Sequence, residues 1–262
     1  MPCGQTADGG NLYTGPLSGN ALKVIACISM LIDHVGMIFF PDVVVLRVIG
    51  RLAMPLFAFT FAEGCFYSRH RLRRFLLILC LGIVTSSVMS FVEKSPRGDI
   101  LITLSLSALV IGALDALKRS AFAHQVKKTV VFALLLAAAV AFCVGVCCFS
   151  GLNVDYGLAG VLLPVTVRLL DFRSYGAKGA LSAIYTPVTM LLLFAAGLLF
   201  VVLFTGEIQL FSLVSLIFIA LYSGKRGKAH LKALFYVFYP AHLAVLGAVY
   251  LIVWPEFFMT LF

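Results

Sequence analysis

Five ionisable residues stand where a lipid-buried helix would ordinarily carry none. Asp33 and His34 interrupt ALKVIACISMLIDHVGMIFFP (21–41), Arg47 and Arg51 lie in LRVIGRLAMPLFAF (46–59), and His242 lies in LFYVFYPAHLAVLGAVYLIVW (234–254). An ionisable group in hydrocarbon costs about 2.5–3.5 kcal/mol on insertion scales, so it faces a partner or a polar cavity. The residue types suit acyl or proton transfer. A neutral imidazole, with an ordinary pKa near about 6.5, takes a proton from a nucleophile. An arginine holds an anion or a developing oxyanion.

These residues share a depth. Counted from the inner end of its segment at about 1.5 Å per residue, His34 lies about 20 Å in, Arg51 about 18 Å and His242 about 16 Å. Arg47 and Arg51, at i and i+4, share one helix face, as do Tyr239 and His242 at i and i+3. Asp33 and His34 point about 100° apart on a helix, so Asp33 is expected to pair with Arg51 or hold an incoming amine, not to orient His34. Pro240 should kink the helix next to His242 and free a backbone carbonyl. Glu63 lies below Pro55, about one and a half turns from the inner end, and is expected to face an inner vestibule. Plainer readings stand beside these. The histidines can be helix–helix hydrogen-bonding groups, Arg47 can snorkel to the outer interface, and Arg51 can be paired structurally with Asp33.

The elements that must position these groups are membrane helices. The 262 residues are 62% hydrophobic and 12% charged, with a mean hydropathy of +1.07; a soluble domain is about a quarter charged. Nine apolar runs follow one another: 21–41, 43–68, 75–92, 100–117, 129–150, 157–171, 179–204, 208–222 and 231–254. About 20 residues cross the hydrocarbon, and most runs reach that length; 157–171 is short and contains Pro164. The expected fold is an all-α, polytopic integral membrane bundle of about nine transmembrane helices with a cytoplasmic N-terminus. Residues 1–20, polar and Gly-rich, read as a disordered cytosolic tail, and 21–262 as one transmembrane domain.

The net charge of +9 does not mark a nucleic-acid binder, because position explains it. Of the 20 Lys and Arg, 16 fall at Lys23; Arg69, Arg71, Arg73, Arg74; Lys118, Arg119, Lys127, Lys128; Arg168, Arg173, Lys178; and Lys225, Arg226, Lys228, Lys232. The intervening loops hold only Lys94 and Arg97. That alternation is the positive-inside pattern, which turns the basic loops to the cytoplasm. Seven cysteines, all but Cys3 in apolar runs, lack metal-ligand spacing and read as small hydrophobes; no metal is expected. The run after Lys23 is too long, and too polar at Asp33-His34, for a cleaved signal peptide.

In order and spacing, LKVIACISMLIDHVG (22–36), LRVIGRLAMPLFAFTFAEG (46–64), ILITLSL (100–106), VDYGLAGVL (154–162) and FYVFYPAHLAVL (235–246) resemble the TraX family, named for the conjugation-system protein that N-acetylates F-pilin. TraX-like proteins are similar in turn to transmembrane acyltransferases that use cytosolic acyl-CoA. The likeness covers Leu22 to about Leu246, and Met30–Gly36, Arg47–Phe57 and Phe238–Leu243 are its specific blocks. It implies roles for Asp33 and His34, Arg47 and Arg51, Glu63 and Gly64, Asp155, Tyr156 and Gly157, and Tyr239, Pro240 and His242. Asp99 departs from the pattern, in which an asparagine opens the fourth span.

What the resemblance implies is an acyltransferase in the cell membrane, acetyl-CoA its natural cosubstrate and an amine or hydroxyl of an envelope protein, glycan or lipid its acceptor. The catalytic set would be His34 as general base with Asp33 and His242. Arg47, Arg51, Glu63, Tyr239, Asp155 and Tyr156 would contact substrates, and the acyl-CoA phosphates would lie near Arg69–Arg74 or Lys225–Lys232. The bilayer is the expected partner, and a homo-oligomer stays open. The rival class is a transporter or proton-coupled permease, because midplane Asp, His and Arg also make relays; the chain shows no repeated half. A third reading is a scaffold whose buried charges only pair helices.

Overall fold

The computed structural model describes residues 13–68, 70–172, 175, 184–227 and 231–254. It is a helical bundle. The first span, α1 (Gly19–Phe39), starts at Ser18, whose side chain caps the Ala21 N–H at 3.2 Å. Then come α2 (Val44–Gly50), α3 (Ala53–Tyr67), α4 (Arg71–Glu93), α5 (Ile100–Phe122), α6 (Val126–Phe149) and the shorter α7 (Gly157–Leu169). Next, α8 (Pro187–Thr205) opens on a capping box in which Thr186 and Thr189 satisfy each other's backbone. A 3₁₀ helix (Glu207–Val214) continues into α9 (Ser215–Ala220), and α10 (Lys232–Val253) closes the described chain.

Seven of these stretches are long and apolar enough to cross a membrane, counting Val44–Tyr67 as one, and Gly157–Leu169 and Glu207–Ala220 are shorter apolar helices. The chain is accordingly a multi-pass membrane protein. Two runs expected as continuous spans are interrupted. Residues 43–68 break at Arg51 and Leu52, and 208–222 begins as a 3₁₀ helix, whose threefold repeat aligns Gln209, Ser212 and Ser215 on one face.

The expected disordered tail needs correcting over its described part. Gly15 donates to Tyr222 O at 3.1 Å, Leu17 to Leu221 O at 2.8 Å, and Ser223 returns a bond to Leu17 O at 2.8 Å. A Cβ on Gly15 would lie 2.1 Å from the Leu221 backbone, so this strap requires glycine there. Tyr13, 4% exposed, plugs the core formed by α1, α3, α7 and α8 against Phe59 and Tyr222. Residues 1–12 lie outside the described residues, as do Arg69, Arg173, Lys178 and Lys228 of the basic clusters.

At one end of the bundle, β1 (Arg97–Gly98) and β2 (Asn153–Val154) pair in parallel and tie the α4–α5 connection to the α6–α7 connection. The basic turns after α3 and α5 lie at the other end. Not all of the basic-cluster residues are solvated loop charges, as expected. Arg168 and Lys118 are buried: Arg168 Nη2 meets Asp115 Oδ1 at 2.9 Å and its Nη1 meets Asp171, while Lys118 donates to Arg168 O at 2.6 Å. Arg71 holds the other Asp115 oxygen at 2.7 Å. Burying these two cations is feasible because Arg168 is paired with carboxylates and Lys118 with backbone carbonyls.

Candidate functional site

The midplane groups converge because two glycines let α1 and α2 nearly touch. Gly36 sits against Leu46, and Gly50 against Asp33; a Cβ on Gly50 would lie 2.2 Å from Asp33 Oδ1. Asp33 therefore faces α2, where Arg51 Nη2 meets its Oδ1 at 2.7 Å and Arg47 Nη1 meets the same oxygen at 3.0 Å. The helix break at Arg51 is used: Arg51 Nε donates to Arg47 O at 3.1 Å. Two guanidinium groups share one carboxylate, which leaves a surplus positive charge in the bilayer layer.

Gln209, 1% exposed, completes this cluster, and nothing in the sequence separated it from the rest of its apolar run. Arg51 Nη1 donates to Gln209 Oε1 at 3.3 Å. A guanidinium can only donate, so the amide orientation is fixed. Its Nε2, and the hydroxyls of Ser212 and Ser215 further along the same face, are buried with no hydrogen-bond partner among the described residues.

His34, about 100° round α1, faces α10 instead. Its Nδ1 lies 2.8 Å from His242 Nε2, and the rings are 5.0 Å apart. His242 Nδ1 lies 2.8 Å from Phe238 O. A carbonyl only accepts, so His242 Nδ1 carries the hydrogen and, in a neutral ring, its Nε2 accepts. His34 Nδ1 must then donate, which leaves the lone pair on His34 Nε2. Phe238 stacks on His242 with ring centroids 5.0 Å apart and fixes the second ring's orientation. His34 also lies within electrostatic reach of Arg47, Arg51 and Arg97.

The remaining expected site residues divide. Tyr156, in a left-handed turn at φ 60° before α7, lies within reach of the Arg51, Asp33 and Arg47 charges. Tyr239 packs beside His242 and interacts with Asp99. Asp155 is 3.7 Å from Arg97, and its backbone carbonyl accepts from Thr103 at 2.8 Å. Glu63 is separate and, among the described residues, buried where an open vestibule was expected. It is 3% exposed, with Tyr13 donating to it at 3.5 Å and Tyr185 adjoining Tyr13 at 3.4 Å, so the N-terminal strap covers it.

Asp99 explains its own departure from the family pattern. It is the N-cap of α5, accepting from Leu101 N and Ile102 N at 3.1 Å each, and it is also bonded by Thr85. A cap needs an oxygen acceptor, which asparagine and aspartate both supply. Burial raises the Asp99 carboxyl above the usual range, against the lowering bonds from Thr85, Ile102, Ser86 and Leu101. Because the folded value is raised, the stability from this group is present below the ordinary carboxylate range and is lost as pH rises through the raised value. Asp99→Asn should therefore melt closer to the wild type in acid and above it at neutral pH; parallel melting curves across that range would contradict this.

Among the described residues no cluster of three or more His, Cys, Asp or Glu could hold a metal ion. The family described as TraX protein matches residues 18–250. A protein of Dichelobacter nodosus named as probable fimbrial assembly protein FimC, serogroup H1, is 29% identical over 246 residues, covering 86% of this chain and 92% of its own. An uncharacterised protein of Rickettsia prowazekii is 42% identical over 65 residues, 25% of this chain and 26% of its own. No solved structure matches.

Proposed function

The chain belongs to the TraX family, and on that premise we propose that it is a membrane-embedded acyltransferase, moving an acyl group, in the simplest case acetyl, from cytosolic acyl-CoA to an amine or hydroxyl of an envelope protein, glycan or lipid. The observation that carries the reading is the His34–His242 pair, 2.8 Å apart, with its base nitrogen left on His34 Nε2. That nitrogen takes the acceptor's proton as the acceptor attacks the thioester carbonyl. A C–N or C–O bond forms and an oxyanion develops. The surplus cation of Asp33, Arg47 and Arg51 stabilises that oxygen. Collapse breaks the C–S bond, and the leaving thiolate recovers the proton from His34. Between those steps the imidazolium Nδ1–H remains bonded to His242 Nε2, which spreads the charge over both rings.

The fimbrial name of the Dichelobacter relative supports an acceptor among the subunits of a surface fibre. The test is purified protein in lipid nanodiscs with acyl-labelled acetyl-CoA and an envelope fraction. Free CoA released together with label on one macromolecule supports the proposal. No release, alongside solute uptake into proteoliposomes, overturns it in favour of a transporter.

A further inference from the structure

A cavity of about 460 Å³ lies among α3, α4, α5 and α6, at the basic end of the bundle and away from the histidine pair. It runs along α5 from Ser105 to Ala113, about 12 Å at the helical rise. It opens sideways to the bilayer, since Leu72 in its wall is 70% exposed and Phe142 is 56% exposed. Gly112 forms part of its lining, and a Cβ added there meets nothing within 4 Å. Only the basic end carries charge. Arg74 spreads over the Phe61 ring at 5.0 Å and across Gly64, where a Cβ would come within 2.6 Å of the guanidinium. Its Nε is buried without a partner among the described residues, while its Nη2 donates to Phe61 O at 3.4 Å. Arg71 stands beside it at the mouth, and Lys118 and Arg168 lie behind, so four cations face two carboxylates, Asp115 and Asp171.

We propose that this groove binds a phospholipid with an anionic headgroup, its phosphate at Arg71 and Arg74 and one acyl chain along α5. An alkyl chain suits the walls. Ser105 already donates to Leu101 O at 2.8 Å, so the carbonyls of an arm with amide groups would find no free side-chain donor on the α5 wall. An anionic headgroup suits the excess of cations at the membrane surface. The site does not depend on the acyl-transfer reading and survives its failure.

The experiment measures competition of spin-labelled phosphatidylglycerol and phosphatidylcholine for the purified protein in mixed micelles. The wild type should prefer phosphatidylglycerol by about fivefold, the attraction of one arginine near a headgroup. Arg74→Gln should erase the preference while retaining both lipids. Gly112→Leu, which grows into open space, should release both, with an unchanged melting temperature. Equal binding of the two lipids by the wild type would overturn the proposal. So would a Gly112→Leu protein that keeps the labels, or displacement of the labels by an equal concentration of a long-chain acyl-CoA, which would assign the groove to a thioester donor.

Discussion

His34→Gln should lower the rate of acyl transfer by about 10²–10⁴-fold, the usual worth of a positioned general base. Glutamine is close to histidine in size and carries an uncharged amide that can hydrogen-bond within the bundle. What it cannot do is take up the acceptor's proton. The protein should therefore stay inserted and melt normally while turnover collapses. His242→Gln should lose less, because His242 acts through His34: it fixes which nitrogen of the first ring is free and shares the charge once that nitrogen is protonated. The check is the initial rate of CoA release per folded molecule. A His34→Gln protein within a few-fold of the wild type would remove His34 from the role, whatever the family does elsewhere.

Gly50→Ala should be severely destabilising for the addition of a single methyl group. The added carbon would fall 2.2 Å from Asp33 Oδ1, 2.3 Å from Asp33 Cβ and 2.4 Å from its Cγ. Neither helix can yield locally, because Gly36 already rests on Leu46 one turn away. α1 and α2 must part, and the Arg51–Asp33 contact at 2.7 Å opens with them. Breaking a largely buried ion pair by displacing one member costs about 3–5 kcal/mol. Gly145→Ala in α6 is the control, since nothing lies within 4 Å of its added carbon and alanine is the better helix former. Melting in detergent should show a large fall for Gly50→Ala and no fall for Gly145→Ala. Equal melting temperatures would mean that the α1–α2 contact is not the hinge of the site.

The polar layer was legible in the sequence because an Asp, a His or an Arg stands out against an apolar run, and counting residues along a helix gives its depth. Asp33 with Arg51, and His34 with His242, can be listed as candidates on that ground alone. Which of them pair is a matter of rotation about each helix. The 100° step between Asp33 and His34 and the shared faces of Arg47 with Arg51 and of Tyr239 with His242 are readable from spacing, and the structure sends Asp33 to α2 and His34 to α10. Gln209 was hidden for a different reason. A single uncharged amide in a run such as EIQLFSLV carries no insertion penalty large enough to mark it, and the 3₁₀ register that aligns it with Ser212 and Ser215 has no clear sequence signature. Glycine-rich, polar composition usually means disorder, but in the strap of residues 13–17 Gly15 serves close backbone packing on Leu221 and Tyr13 supplies the core plug. The burial of Lys118 and Arg168 is hidden in the sequence because topology alone accounts for their basic clusters. Their partners Asp115 and Asp171 were the available signal, each within three residues of the cation it accompanies.

The most direct measurement compares envelope proteins, glycans and lipids by mass spectrometry from cells carrying the wild-type chain and from cells carrying His34→Gln at equal abundance. One acceptor should be heavier by a single acyl unit in the first sample and unmodified in the second. The same acceptor carrying the same acyl unit in both would contradict the assignment of proton transfer to the His34–His242 pair.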